Sequence, residues 1–428
     1  MAVLVAFEII PANAVRDLVF LGELGLDGSV RPVRGVLPVA RRLMQLEPRP
    51  VLVLPEGNVA EAGLVRGLRC SAPASVGELL DWLRAGELPS ASRATAPHSE
   101  TDAADFAEVI GQDSAKRALE IAAAGGHNAL LIGPPGAGKT MLARRLPSIL
   151  PALTEEELLE VTAIHSVAGL LNGSAGRATR PFRAPHHSVS TAGLVGGGSV
   201  PRPGEASLAH HGVLFLDELL EFPRPTLEAL RQPLEDGRVT IARASAAVCY
   251  PARFTLIGAM NPCPCGFAGD RTRTCLCAES EITRYRSRLS GPLLDRIDLH
   301  LTLAPVPLRA MGSQGAAESS TTVRERVERA RARQRERSGD STVNARASSR
   351  ALLRHLASDA RNLLDSASES LALSARAYHK VAKVARTIAD LDGADGVAAP
   401  HVAEALRYRP QLVTADPLRD RLRSDALP

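Results

Sequence analysis

Apolar residues along this chain come in short unbroken runs, separated by longer stretches of helical period. The runs Ala129-Leu-Leu-Ile132, Val213-Leu-Phe-Leu216, Thr255 to Asn261 and Leu299 to Leu303 predict strands buried on both faces, as in a parallel sheet. Met141 to Leu146 predicts a helix after the first run, and Pro225 to Leu234 an amphipathic one after the second. Thr154-Glu-Glu-Glu157, placed before an apolar periodic stretch, is the signature of a capping box. Near the start, Leu18 to Leu21 and Val51 to Leu54 predict strands of a separate α/β unit. Alternation in Val239-Thr-Ile-Ala-Arg243 predicts a strand with a hairpin tip at Ala244 to Ala247. After a loop from Met311 to Thr322, Val323 to Arg335 reads as a strongly basic helix, and Ala345 to Tyr408 as helical throughout.

The junction after the first buried run carries the chemistry. Gly133-Pro134-Pro135-Gly136-Ala137-Gly138-Lys139-Thr140 meets the G-x-x-x-x-G-K-[ST] pattern between a strand and a helix, which is where a phosphate-binding loop sits. Its glycines let backbone N–H groups curl around phosphates, Lys139 reaches the β/γ-phosphates, and Thr140 is a ligand for Mg²⁺. The second run ends in Asp217-Glu218. A parallel strand delivers Asp217 beside the loop to hold Mg²⁺ through water, and Glu218 is the candidate general base for the water that attacks the γ-phosphate of ATP. The third run ends in Asn261, a polar residue between these two positions, although a strand-end Asn is also a common turn former. Arg296, before the fourth run, suits an arginine finger reaching a neighbouring subunit in a ring, or an ordinary surface pair with Asp295 or Asp298.

On these landmarks the chain divides into residues 1–88, a polar Pro-bearing linker at 89–105, a nucleotide domain at 106–308, a basic connecting segment at 309–345, a helical lid at 346–412 and a tail at 413–428. Two or three domains suit 428 residues. No apolar stretch approaches the length of a membrane span, and Met1 to Phe7 lacks the pattern of a secretory signal, so a cytoplasmic protein without membrane partners is expected. The net charge of +4 permits nucleic-acid binding without demanding it, and one Trp, four Tyr and eight Phe disfavour extensive base stacking.

Four of the six cysteines fall in Cys263-Pro-Cys265 and Cys275-Leu-Cys277. In a reducing compartment two Cys-x-Cys pairs in one loop fit a four-thiolate zinc site, the reading favoured here over free redox-sensitive thiols. Cys70 and Cys249 stand alone and read as structural. The adjacent His186 and His187 are a weaker metal candidate, since neighbours on an extended segment point to opposite faces.

The order of Gly133 to Thr140, Asp217-Glu218, Asn261, Arg296 and Ser374-Ala-Arg376 resembles an AAA+ ATPase, an α/β P-loop fold with a parallel sheet and C-terminal helical lid. The stretches Arg180-Pro-Phe-Arg-Ala-Pro-His-His-Ser188, Leu194-Val-Gly-Gly-Gly198, Pro203 to His210, Asn261-Pro-Cys-Pro-Cys-Gly266 and Ser290 to Asp298 resemble the magnesium-chelatase-like YifB/ComM family. The resemblance implies that Asn261 is the sensor-1 residue, Arg296 the arginine finger and Arg376 the sensor-2 arginine. It also implies a homo-oligomeric, hexameric ring that drives branch migration of DNA. The alternative is the motor subunit of a magnesium chelatase.

Phosphate contacts independent of sequence would come from the Gly-rich segment with Arg177, Arg180, Arg183 and Arg202, from Arg243 at the hairpin, for which a solvated edge arginine is an equal reading, and from the basic helix Arg324 to Arg337. For that helix, a solvated face pairing its own Glu325, Glu328 and Glu336 is an equal reading. Val19 to Pro38 resembles the later part of a Lon-protease-like domain whose earlier part is expected before it. Leu37 stands at the place of the catalytic lysine, so a non-proteolytic domain is expected.

Overall fold

A computed structural model of the chain describes residues 1–91, 104–171, 179–242, 247–270, 273–305, 318–340 and 342–409. The strands that position the chemistry are β1 (Leu18–Phe20), β2 (Val51–Val53), β3 (Cys70–Ser71), β4 (Ala129–Ile132), β5 (Phe182–Arg183), β6 (Val213–Leu216), β7 (Arg238–Ala242), β8 (Ala247–Pro251), β9 (Thr255–Met260) and β10 (Leu299–Thr302). The main helices are α1 (Val36–Leu43), α2 (Val76–Ala85), α3 (Asp113–Gly125), α4 (Lys139–Ile149), α5 (Glu155–Ala168), α6 (Glu279–Arg286), α7 (Ser320–Ser338), α8 (Ser349–Leu353), α9 (Ser358–Ser370), α10 (Ala375–Leu391) and α11 (Ala399–Arg407).

The central sheet has the order β10-β4-β9-β6-β5, and every pairing in it is parallel. All residues of β4, β6 and β9 are buried, which explains why these strands read as unbroken apolar runs instead of alternating ones. Because β9 lies between β4 and β6, three strands that are distant in sequence end side by side. Such strand ends are where open α/β sheets place ligands.

The capping box at the start of α5 is present in full, with the Thr154 side chain accepting from Glu157 N–H and the Glu157 carboxylate accepting from Thr154 N–H. The basic helix begins at Ser320, earlier than Val323, because the Ser319 hydroxyl caps it by accepting from Thr322 N–H. Its buried Val323, Val327 and Ala330 share one apolar cluster with α3, α4 and α10. The C-terminal helices α8–α11 join the same cluster, so the helical region packs beside the sheet.

Near the N-terminus, β1-β2-β3 form a parallel three-stranded sheet against α1. Leu37 is fully buried there. This unit docks on α5 through a buried carboxylate. Glu61 accepts from Leu37 N–H at 2.7 Å and from the Ser166 hydroxyl, which in turn accepts from Gly35 N–H at 2.9 Å. Most of the expected linker lies outside the described residues. Among the described residues, no helix is long and apolar enough to cross a membrane.

Candidate nucleotide site

The loop between β4 and α4 needs its glycines. Gly136 and Gly138 take φ of +79° and +85°, the left-handed region where a Cβ is unfavourable. A Cβ on Gly133 would stand 2.8 Å from the Leu303 carbonyl oxygen. The loop opens at the N-terminus of α4, where free N–H groups and the helix dipole favour phosphate.

Around it lies a cavity of about 1120 Å³ lined by Pro135 to Met141, Asp217, Glu218 and Asn261. Lys139 Nζ donates to the Gly133 and Pro134 carbonyls at 2.6 and 3.0 Å and to Asn261 Oδ1 at 2.9 Å. Burial pushes the Lys139 ammonium below its ordinary value, opposed by the charges of Asp217 and Glu218. The Thr140 hydroxyl donates to Asp217 Oδ2 at 2.7 Å, so the two expected Mg²⁺ residues already touch. The adjacent Lys139 and Thr140 thus reach two sequence-distant positions, Asn261 and Asp217, through one hydrogen bond each.

Glu218 follows with its backbone in the left-handed region, at φ 49° and ψ 47°, and its side chain 61% exposed. That geometry turns its carboxylate out of the strand line toward the cavity it lines. Its Oε2 lies 3.4 Å from His187 Nδ1. His187 did not emerge as a partner of Glu218 from the sequence. The expectation that His186 and His187 point apart also fails: they lie in a turn, with ring centroids 4.0 Å apart. A cavity face formed by Glu281, Arg284, Tyr285 and Arg288 was missed as well, although its spacing is that of one helix face.

Arg296 and Arg376 do not line this cavity; they line a second one, together with Glu235 and Asp298. Arg296 pairs with Glu235 and donates to the Pro292 carbonyl at 2.7 Å, and Arg376 meets the same carboxylate at 3.3 Å. The expected alternative pair with Asp298 is not formed. Asp298 instead takes Lys380 at 2.7 Å and His127 at 3.4 Å. Burial would raise the Asp298 carboxyl, but Lys380 and His127 outweigh it and hold the group well below the carboxylate range.

The four loop cysteines come together, every pair of sulfurs lying within 4.8 Å. The predicted phosphate-contacting arginines fare differently. Arg180 is bound to Glu157 at 2.8 Å and to the Pro151 and His211 carbonyls, and Arg183 forms a fork with Glu205 at 2.6 and 2.8 Å. Both hold structure. Arg202 is exposed, while Arg177 and Arg243 lie outside the described residues. The hairpin β7–β8 is present and Ala247, expected at its tip, already belongs to the returning strand.

On the basic helix, Arg324 donates to Ser148 O at 2.9 Å, Arg326 pairs with Glu120 and Glu318, Arg331 donates to Ala123 O, and Arg337 pairs with Asp390. These partners come from elsewhere in the chain and not from the helix's own glutamates. Burial pushes the Arg331 guanidinium down to about 9.

The parallel sheet with its interposed β9, the glycine loop and the Asp217-Glu218 strand end define an AAA+ P-loop protein of the magnesium-chelatase type. Residues 105–311 match the family model described as magnesium chelatase, subunit ChlI, residues 317–409 its C-terminal counterpart, and residues 1–58 the model described as subunit ChlI of Mg-chelatase. The chain is similar to an uncharacterised protein of Mycobacterium tuberculosis, 47% identical over 95% of this chain and 82% of that protein. It is likewise similar to the competence protein ComM of Haemophilus influenzae, 42% identical over 95% of this chain and 80% of that protein. A magnesium-chelatase 38 kDa subunit of Rhodobacter capsulatus matches at 27% over only 37% of this chain and 50% of that subunit. The chain belongs to the YifB/ComM family of magnesium-chelatase-like AAA+ proteins, a membership that implies the use of ATP and Mg²⁺.

Proposed function

We propose that the chain is the subunit of a homo-oligomeric, hexameric ring that hydrolyses ATP and couples it to DNA translocation or branch migration during recombination of incoming DNA. The observation that carries the ATPase reading is the bonded set Lys139–Asn261 and Thr140–Asp217 at the ends of three adjacent strands. Lys139 holds the β/γ-phosphates, and the oxygen donors of Thr140 and Asp217 suit Mg²⁺, which when bound neutralises phosphate charge. Asn261 orients the phosphate end and Glu218 positions the attacking water and takes its proton. Arg296, as finger, and Arg376, as sensor, act on the nucleotide of a neighbouring subunit, a reading supported by their absence from this chain's own phosphate cavity. The domain divisions at 88, 105, 308, 345 and 412 follow the same reading, as does a cytoplasmic location.

For the four loop cysteines the reading is a resident zinc ion. Backbone N–H groups of Ala268 and Cys265 point at the sulfurs of Cys263 and Cys277 at 3.2 and 3.4 Å, an arrangement that suits thiolates.

The DNA role is supported by the printed name of the competence relative and by the match over 95% of this chain, against 37% for the chelatase subunit. The deciding experiment is ATPase activity of the purified chain with and without single-stranded, duplex and branched DNA at two salt concentrations. Stimulation that falls steeply with salt and is indifferent to base sequence is expected. Lack of stimulation by any DNA would overturn the DNA reading and leave the ATPase standing.

A further inference from the structure

The cysteine loop is built into the wall of the nucleotide cavity, and this placement gives its metal a task. Its first arm, Cys263-Pro264-Cys265, begins two residues after Asn261, and Pro264 itself lines the cavity. Gly266, at φ +86°, presses on the phosphate loop so closely that a Cβ there would meet Pro135 Cδ at 2.7 Å. Its second arm, Cys275-Leu276-Cys277, ends two residues before α6, whose Glu281, Arg284 and Tyr285, with Arg288 just past the helix end, form another side of the same cavity. Arg286 on α6 also donates to the Pro262 carbonyl at 3.1 Å, tying one arm's root to the other arm's helix.

The sulfur positions fit one tetrahedral ion. Cys263, Cys265 and Cys275 have Sγ separations of 3.4, 3.6 and 3.5 Å. Four thiolates about 2.3 Å from zinc stand about 3.8 Å apart. Cys263 is fully buried and the other three are partly covered. Four thiolates this close repel one another unless a cation joins them, and an unjoined loop of this kind has few apolar contacts of its own to hold it.

We propose that a zinc ion bound by Cys263, Cys265, Cys275 and Cys277 clamps the Asn261 arm to α6, and thereby sets the width of the ATP cavity. The inference rests on the zinc reading given above and adds that nucleotide affinity depends on the metal. ATP then meets a preorganised wall: Asn261 stays on Lys139, Gly266 stays on Pro135, and the α6 face keeps its distance from the phosphates. Without the ion the two arms separate, and binding nucleotide must first order them.

The test uses the full chain in a Cys70→Ser, Cys249→Ser background, so that only the loop thiols respond. Elemental analysis should give about one zinc per chain. Titration with a fluorescent non-hydrolysable ATP analogue gives the Kd before and after an organomercurial ejects the zinc, and again after excess thiol and zinc are returned. The expected result is an increase in Kd of about tenfold or more on ejection, reversed on return. Cys275→Ser should lose both zinc and affinity, and Cys275→His, which keeps a competent ligand, should retain both. If Cys275→Ser fails to fold, the mercurial titration of the folded protein decides. Zinc at one per chain with an unchanged Kd after ejection overturns the clamp while leaving the zinc reading intact. Protein that never carries zinc overturns both.

Discussion

Around the phosphate loop, Lys139 bonds to Asn261 and Thr140 to Asp217 across three strand ends, whereas Arg296 and Arg376 converge on one carboxylate, Glu235, away from that cavity. The first region is a finished binding surface with a shape of its own. The second is two cations parked on a half-exposed anion, with Glu235 52% exposed. The difference teaches that the arginines and the phosphate loop of one protomer occupy separate cavities. Under the proposed function a neighbour supplies the arginines and nucleotide phosphate draws them from Glu235.

The strongest way to break this comparison is to separate the halves. Arg296→Ala should lower ATPase activity by about a thousandfold, and mixing it with Lys139→Ala subunits should restore part of the rate, because an intact arginine from one chain completes an intact phosphate loop on the other. Mixed rings that assemble and stay inactive would place the role of Arg296 within its own chain.

Within the first region, Glu218→Gln should lower hydrolysis on the order of a hundredfold while ATP-analogue affinity stays within about twofold. Lys139→Ala should lose the affinity itself. A Glu218→Gln variant hydrolysing at the parent rate would remove Glu218 as the base.

A third arginine region sharpens the contrast. Arg326 is packed against the nearly buried Glu120, so Arg326→Ala should destabilise the fold by about 1–3 kcal/mol in denaturant unfolding, with DNA affinity unchanged. Loss of DNA affinity at full stability would return the basic helix to the DNA surface. The smallest effect belongs to Glu235. Glu235→Gln should raise the ATPase of assembled rings by up to about fivefold, since a half-exposed carboxylate restrains its cations only weakly. A fall in rate instead would mean that Glu235 aims the arginines.

What was legible in the sequence was local. The phosphate loop, the Asp217-Glu218 strand end and the capping box at Thr154 each declare themselves within a few residues, because each satisfies its own backbone or ligand groups in place. Partners separated by many residues stayed hidden. Nothing near Arg296 in sequence points to Glu235, nothing near Arg183 distinguishes a fork to Glu205 from a free phosphate ligand, and Arg331 and Arg324 end on carbonyl oxygens, which every residue owns. A run of arginines therefore measured charge and not availability. The cysteine cluster lies between these cases: its spacing announced a set of four neighbouring cysteines, but its contact with Pro135 and α6 needed the folded chain.

The left-handed backbone of Glu218 sets durability against turnover. An ordinary L-residue held at φ 49° gives up about 1 kcal/mol or more that Gly, and in lesser degree Asn, would not. Glu218→Gly should therefore survive to a higher temperature than the parent chain in a thermal melt while turning over ATP about a hundredfold or more slowly. A population selected only for resistance to heat would lose this carboxylate, and one selected for work would keep it.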